Sequence, residues 1–315
     1  MIAPAGKTWS RKDFMISTAL LASNPGLLRS EPGYIDAHSH VWSPDLARWP
    51  RRASSMVTVP LPLSFTPEEL LAQSRPCGVT GAVLIQMSFY GFDNSYILHA
   101  VAQDREHFVG VAVVDHTAPA IEEEMRRLAD GGVRGFRLGF RDRPADWAES
   151  PAMDRFWRLA GENRLAICPL LGPESLPAIG RLCSRHPSTT VVIDHLARIG
   201  ALGPIQEGDV RALEALAAHA SVNVKVSAFY ALGGQPAPYL NLAPMIRRIF
   251  AAFGPRRLMW GSDSPFQVSN GNHYADSFAL VHDHLDFLSA ADRECLLRTT
   301  AERVFFQRQQ STGRA

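Results

Sequence analysis

The sequence predicts an α/β fold, a distorted (β/α)8 TIM barrel, and three observations predict it. Eight short apolar runs alternate with helical patterns along the chain. Several of these runs, such as Ala82-Val83-Leu84-Ile85, are apolar without alternation, as suits strands buried on both faces of a parallel sheet. An open doubly wound sheet would carry a glycine-rich phosphate loop after its first strand, and no such loop follows Tyr34–His38.

The predicted strands, in order, are Tyr34–His38, Val79–Gln86, Val109–Asp115, Val133–Leu138, Leu165–Leu170, Thr190–His195, Val222–Val226 and Arg257–Asp263. Helical spacing fills most of the intervals. Ile121, Met125 and Leu128 fall on one face of a helix before the fourth strand. Ser175–Cys183, Val210–Ala220 and Leu240–Phe253 read the same way, and Asp292–Phe305 reads as a closing helix. Gly78 before Val79 and Gly131-Gly132 before Val133 suit left-handed caps on short helix-to-strand loops. The first connection, residues 41–65, is unusually long and holds Trp42, Trp49, Arg51 and Arg52. Long strand-to-helix loops lie on the catalytic face of a barrel, so this segment reads as an insertion over the active site, with a surface excursion packed by its tryptophans as the alternative.

The barrel is expected to span residues 33–306, between a leader (1–32) and a short tail (307–315). Within the leader, Ser10-Arg11-Lys12-Asp13-Phe14-Met15 precedes a short apolar stretch, in the manner of a twin-arginine export signal. A working signal would send the protein to the periplasm; a merely disordered leader would leave it cytoplasmic. The 315 residues are 46% hydrophobic and 20% charged, enough for a large core. A net charge of +1 argues against a nucleic-acid partner. No apolar run approaches the roughly 20 residues a membrane span needs. The four cysteines, Cys77, Cys168, Cys183 and Cys295, are scattered without a C-x-x-C pair, and each reads as a buried free thiol.

The chemistry sits at strand ends. His38 and His40 are two apart at the end of the first strand, so they share a face. Asp263 ends the last strand, just before Ser264-Pro265. In a closed barrel these ends are neighbours, and His195 at the end of the sixth strand joins them. Imidazoles beside a carboxylate can hold a metal, activate water, or both. The neighbouring Asp194 is expected to point the opposite way from His195. Arg137 near the end of the fourth strand, with Arg143 and Arg198 in nearby loops, suits an anionic substrate. Gln86 and Ser88 end the second strand on the same rim. His282-Asp283-His284 repeats the His-x-His spelling in a helical stretch, where such residues do not face each other, and reads as surface. Lys225, on the seventh strand, is out of register for a metal bridge.

At these residues the chain resembles the amidohydrolase superfamily, whose barrels are of the metal-dependent-hydrolase type. Within it, the resemblance is to the branch of 2-pyrone-4,6-dicarboxylate lactonase and sugar lactonases. It is carried by Ile35-Asp36-Ala37-His38-Ser39-His40-Val41-Trp42, Gln86-Met87-Ser88-Phe89-Tyr90-Gly91-Phe92-Asp93-Asn94, Gly132-Val133-Arg134-Gly135-Phe136-Arg137, Ile193-Asp194-His195-Leu196-Ala197-Arg198 and Trp260-Gly261-Ser262-Asp263-Ser264-Pro265-Phe266. The resemblance implies hydrolysis of a small anionic lactone without a required metal. Asp263 would activate water, His38, His40 and His195 would polarise the carbonyl, and Arg137, Arg143 and Arg198 would bind substrate carboxylates. Two positions depart from the pattern: Ala231 stands near an expected arginine, and Gly139 where an asparagine is expected. They point to another lactone or ester acid than the pyrone dicarboxylate.

A single divalent metal, such as zinc, would fall on His38, His40 and Asp263. A zinc-dependent decarboxylase of the same superfamily is the alternative enzyme, but it wants a histidine on the fifth strand, where this chain has Cys168. A non-catalytic ligand-binding barrel is the alternative outside enzymes, and it would have no need of a base. The sequence leaves oligomeric state open.

Overall fold

Strand burial, rather than helix propensity, organises the computed structural model of this chain, which describes residues 33–52, 62–139 and 146–306. The strands are β1 (Tyr34–Ser39), β2 (Val79–Ile85), β3 (Phe108–Ala112), β4 (Val133–Leu138), β5 (Ala166–Pro169), β6 (Val191–Ile193), β7 (Val222–Ser227) and β8 (Leu258–Gly261). They pair in parallel in the order β1 to β8. Beyond the strand ends, Ser39 bridges Ser264. The Asp263 amide donates to the His38 carbonyl at 2.7 Å and the His40 amide to the Ser264 carbonyl at 2.8 Å. These bonds bring the first and last strands together, as expected. The predicted leader and tail lie outside the described residues.

Among the described residues, seven helices cross between the strands: α1 (Pro67–Ser74), α2 (Ser95–Gln103), α3 (Ile121–Asp130), α4 (Pro151–Glu162), α5 (Leu176–Arg185), α6 (Glu207–Ala215) and α7 (Ala243–Phe253). Ile121, Met125 and Leu128 are the buried face of α3, as their spacing predicts. Such side chains contribute about 1.5–3 kcal/mol each when fully buried. Gly78 takes its left-handed cap at φ +74°, and Gly132 is left-handed at φ +104°. Gly131, expected to share that role, is right-handed. The predicted closing helix at Asp292–Phe305 forms as a short α-turn, Ala290–Glu294, followed by wider π-type turns at Cys295–Thr299 and Glu302–Phe306.

Two concentric layers result. Val222, Val224 and Val226 face outward into the layer beneath the helices. Ile35, Ala37, Val83, Val111 and Met259 face inward and pack with Phe305 from the C-terminal segment. Cys168 and Cys183 are buried free thiols as expected; Cys77 and Cys295 are only half-buried. Burial pushes the Cys168 and Cys183 thiols up to about 12, so both stay protonated.

Asp36 locks the β1–β8 seam. It is fully buried. Its carboxylate accepts from the Ser39 hydroxyl (2.6 Å), the Ser262 hydroxyl (2.6 Å) and amide (2.8 Å), the His38 amide (3.0 Å) and the Tyr274 hydroxyl (2.9 Å). Gly261 lets the strands approach this closely: a Cβ there would lie 2.8 Å from the His38 amide nitrogen and Cβ.

Candidate active site

The site stands at the C-terminal ends of the strands, where departures from regular β geometry aim its side chains. Ile35 and Ala37 face the barrel interior, so simple alternation would send His38 outward. The β1–β2 register shifts between Asp36 and Ser39, and this bulge turns His38 inward. Bulges at barrel rims often re-aim side chains in this way. On β6 the strand ends at Ile193, and His195 to Arg198 all take positive φ. Val192 faces inward, so Asp194 does too, and the left-handed turn then brings His195 to the same side. The expectation that Asp194 points away from His195 is therefore corrected: strand alternation ends before His195. Asp263 is itself left-handed at φ +63°, a conformation that costs an ordinary residue energy and collects at functional sites.

These devices gather three expected histidines around one expected carboxylate. Asp263 Oδ1 lies 3.2 Å from His40 Nε2, 3.5 Å from His38 Nε2 and 3.8 Å from His195 Nε2. The Tyr230 hydroxyl donates to Oδ2 at 2.7 Å. Burial alone would raise the pKa of this carboxyl group; attraction to His195 and the contact with His40 outweigh it and hold Asp263 ionised, far below the usual carboxylate range. Burial pushes His195 below the ordinary imidazole value despite the pull of Asp263 and Asp194.

A cavity of about 320 Å³ opens over this carboxylate, within the range of small-molecule sites. His40, His195, Asp263, Arg137, Arg198, Ser88 and Tyr230 line it beside Met87, Leu170 and Phe266. His38 does not line it: the ring is fully buried, one layer deeper. Gln86 does not line it either, and its amide nitrogen donates to the Asp93 carbonyl at 2.6 Å. Arg143 lies outside the described residues. Among the described parts of the 41–65 segment no side chain lines this cavity. Instead, Trp42 packs against Phe65 and Phe89, and Trp49 against Tyr96 and His99. A second cavity of about 410 Å³ shares Arg198 and Ala201 with the first but has no histidine in its wall. His282 is far from the site in role, stacked on Phe278 at 5.0 Å.

Beneath the cavity lies a group of residues that the sequence reading left out of the site. Asn223, Lys225 and Ser227 alternate with the outward valines of β7 and are buried inside the barrel. Lys225 Nζ lies 3.1 Å from His38 Nδ1 and 3.1 Å from Asp194 Oδ1. Arg137 Nε approaches Asp194 Oδ2 at 3.8 Å. His195 Nδ1 and the Ser227 hydroxyl are hydrogen-bonded at 2.8 Å. The signal for Lys225 was present: a lysine in a valine-alternating strand must face either the core or the site. Tyr230, on a short turn after β7, carried no periodic signal.

Among the described residues, two overlapping groups have the spacing to hold a metal ion, His38–His40–Asp263 and His38–Asp194–His195, each with ligand atoms within 4.8 Å of one another. The first suits a tetrahedral ion with one open position by distance. His40 also suits it in hydrogen bonding, because Nδ1 is bound to the Ile85 carbonyl at 2.9 Å and so leaves the Nε2 lone pair to the site. His38 does not: its Nδ1 faces the donor-only Lys225. β5 offers only the protonated Cys168.

Comparison with known proteins agrees with this architecture. The Amidohydrolase family profile matches residues 35–307, and the chain belongs to that family of hydrolases. It is 30% identical over 249 residues to an L-fucono-1,5-lactonase of Burkholderia ambifaria, covering 77% of this chain and 83% of that protein. It is 29% identical over 263 residues to a 2-pyrone-4,6-dicarboxylate hydrolase of Comamonas testosteroni, covering 79% and 82%. A crystal structure from Pseudomonas putida, solved as a candidate 2-pyrone-4,6-dicarboxylic acid hydrolase, superposes with a TM-score of 0.75 at 27% identity. The match covers 89% of this chain and all of that one.

Proposed function

We propose that this protein hydrolyses a small lactone bearing a carboxylate or a sugar-acid skeleton, with water activated by Asp263. The observation that carries the reading is one ionised, buried carboxylate at a cavity floor, ringed by imidazoles and faced by two arginines. The two named lactone hydrolases among its relatives support it.

In this reading, water lies between Asp263 and the lactone carbonyl carbon. Asp263 takes a proton as the oxygen attacks. His195, on the cavity wall, donates to the developing oxyanion, an interaction that gains most in the transition state. Collapse of the tetrahedral intermediate breaks the ring C–O bond. The leaving oxygen takes the proton back from Asp263, and the product is an open hydroxy acid. Arg137 and Arg198 hold an anionic group of the substrate. Ala231 lines the wall where a further arginine would serve a second carboxylate, which favours a monocarboxylate or polyhydroxylated lactone.

The reaction is read as independent of a metal, because the Lys225 contact puts a proton where His38 would need a lone pair. A turnover screen of aldonolactones and pyrone carboxylates, before and after dialysis against a chelator, tests both parts. Lactone opening that survives chelation is expected. Complete loss that zinc restores would overturn the metal-free reading, and no turnover of any lactone would overturn the function.

A further inference from the structure

Lys225 is fully buried beneath the candidate active site, with its ammonium 5.6 Å from the Phe305 ring below. Its nearest polar atoms are His38 Nδ1 and Asp194 Oδ1. An ammonium has three donors and no acceptor. A hydrogen bond from Nζ to His38 Nδ1 therefore requires a lone pair on Nδ1, and a neutral ring so bonded carries its proton on Nε2. The competing arrangement, in which Nδ1 donates to Asp194, is disfavoured by geometry. Asp194 Oδ1 is 3.3 Å from Nδ1, yet neither Asp194 oxygen has the alignment of a hydrogen bond to any partner.

We propose that Lys225 is a positioning residue that holds His38 as the Nε2–H tautomer, turning a proton rather than a lone pair toward Asp263 and making the ring unfit as a metal ligand. His38 Nε2 is 3.5 Å from Asp263 Oδ1, without the alignment of a hydrogen bond to it or to any other group, so the proton it carries faces the base without being bonded to it. A ligating imidazole needs the lone pair there, and it normally steadies its other nitrogen by donating to a carboxylate or carbonyl. His40 follows that rule through Ile85; His38 inverts it. One lysine thus decides whether a group with metal-binding spacing works as a metal centre or as a metal-free carboxylate base. Burial pushes His38 well below the ordinary imidazole range, and Lys225 adds to the effect against Asp194, consistent with a neutral ring. The tautomer stands apart from the lactonase reading; its effect on turnover rests on Asp263 acting as the base.

Long-range 1H–15N correlation spectra of labelled protein report which imidazole nitrogen carries the proton. The His38 signals are assigned by their loss in His38→Asn. Wild type is expected to show His38 protonated on Nε2; protonation on Nδ1 would overturn the proposal without any variant. In Lys225→Met the donor is gone, and Nδ1 is free to donate to Asp194, so the tautomer should reverse. Asp194→Asn keeps the lysine and should leave it unchanged; reversal there would assign control to Asp194 instead. Equilibrium dialysis with zinc gives the second readout. Lys225→Met should bind zinc at least about tenfold more tightly than wild type, the scale of outer-shell effects on metal sites. A variant with reversed tautomer and unchanged zinc affinity would overturn the metal part. These measurements use no substrate, so their failure is distinct from failure of the lactonase reading. On a substrate from the screen, Lys225→Met should lower kcat with KM little changed.

Discussion

Replacing Asp263 by Asn removes the proposed base while keeping nearly everything else around it. The Tyr230 hydroxyl, 2.7 Å from Oδ2, can donate to the Asn carbonyl oxygen. The amide nitrogen then takes the place of Oδ1, 3.2 Å from His40 Nε2. His40 Nδ1 is bound to the Ile85 carbonyl, which leaves Nε2 to accept from that amide. His38 Nε2, at 3.5 Å, has no hydrogen bond to lose. The packing and one or two hydrogen bonds survive; basicity does not. Loss of a general base costs about 10²–10⁴-fold in rate, or roughly 3–5 kcal/mol of transition-state stabilisation. The expected result is a kcat lower by that factor with KM little changed. Proton release into a weakly buffered indicator solution follows turnover, and circular dichroism melting checks that the variant is folded. Hydrolysis at near wild-type rate by folded Asp263→Asn would refute the mechanism even with the fold intact.

Four further outcomes are expected. Arg137→Met should raise KM for anionic lactones more than it lowers kcat, measured against a neutral lactone in parallel, because the guanidinium lines the cavity wall. Asp36→Ala should cause a large loss of stability in chemical denaturation. It orphans five donors at the barrel seam, each worth about 1–3 kcal/mol when buried and unpaired, against a net stability of about 5–15 kcal/mol. Gly261→Ala places a methyl group 2.8 Å from the His38 backbone and should cost about 1–3 kcal/mol, with turnover falling as His38 shifts; unchanged stability and rate would show that the seam yields freely. The pH dependence of stability follows from the buried histidines. Burial lowers His38 and His195 below 6.5 in the folded chain, so the unfolded chain binds protons first as pH falls. Their contribution is full above about pH 6.5 and declines below it, while Asp194, held well below 3.8, adds a further loss in stronger acid. Denaturant midpoints at pH 7.5, 6 and 5 should fall in that order; a rise would contradict the sign.

The sequence by itself determined the barrel and which four side chains meet in its candidate site. Strand existence was legible because strands buried on both faces need unbroken apolar runs, and Val133–Leu138 forms as expected. His38, His40, His195 and Asp263 were legible because polar side chains at the ends of buried strands have few places to go but the barrel mouth. What only the tertiary structure decided were directions and depths. A bulge between Asp36 and Ser39 turns His38 inward, and a left-handed run at His195 to Arg198 turns His195 to the side that Asp194 already faces. Neither leaves a mark in residue spacing, because strand alternation holds only while the backbone stays extended. Gln86 turned to bind the Asp93 carbonyl for the same reason: the path of its loop, not its place in the strand, sets its partner. Lys225 was visible as a letter, but its partners His38 and Asp194 lie on two other strands. Which nitrogen of His38 it meets depends on how three strands lie beside one another, and that is a property of the closed barrel alone.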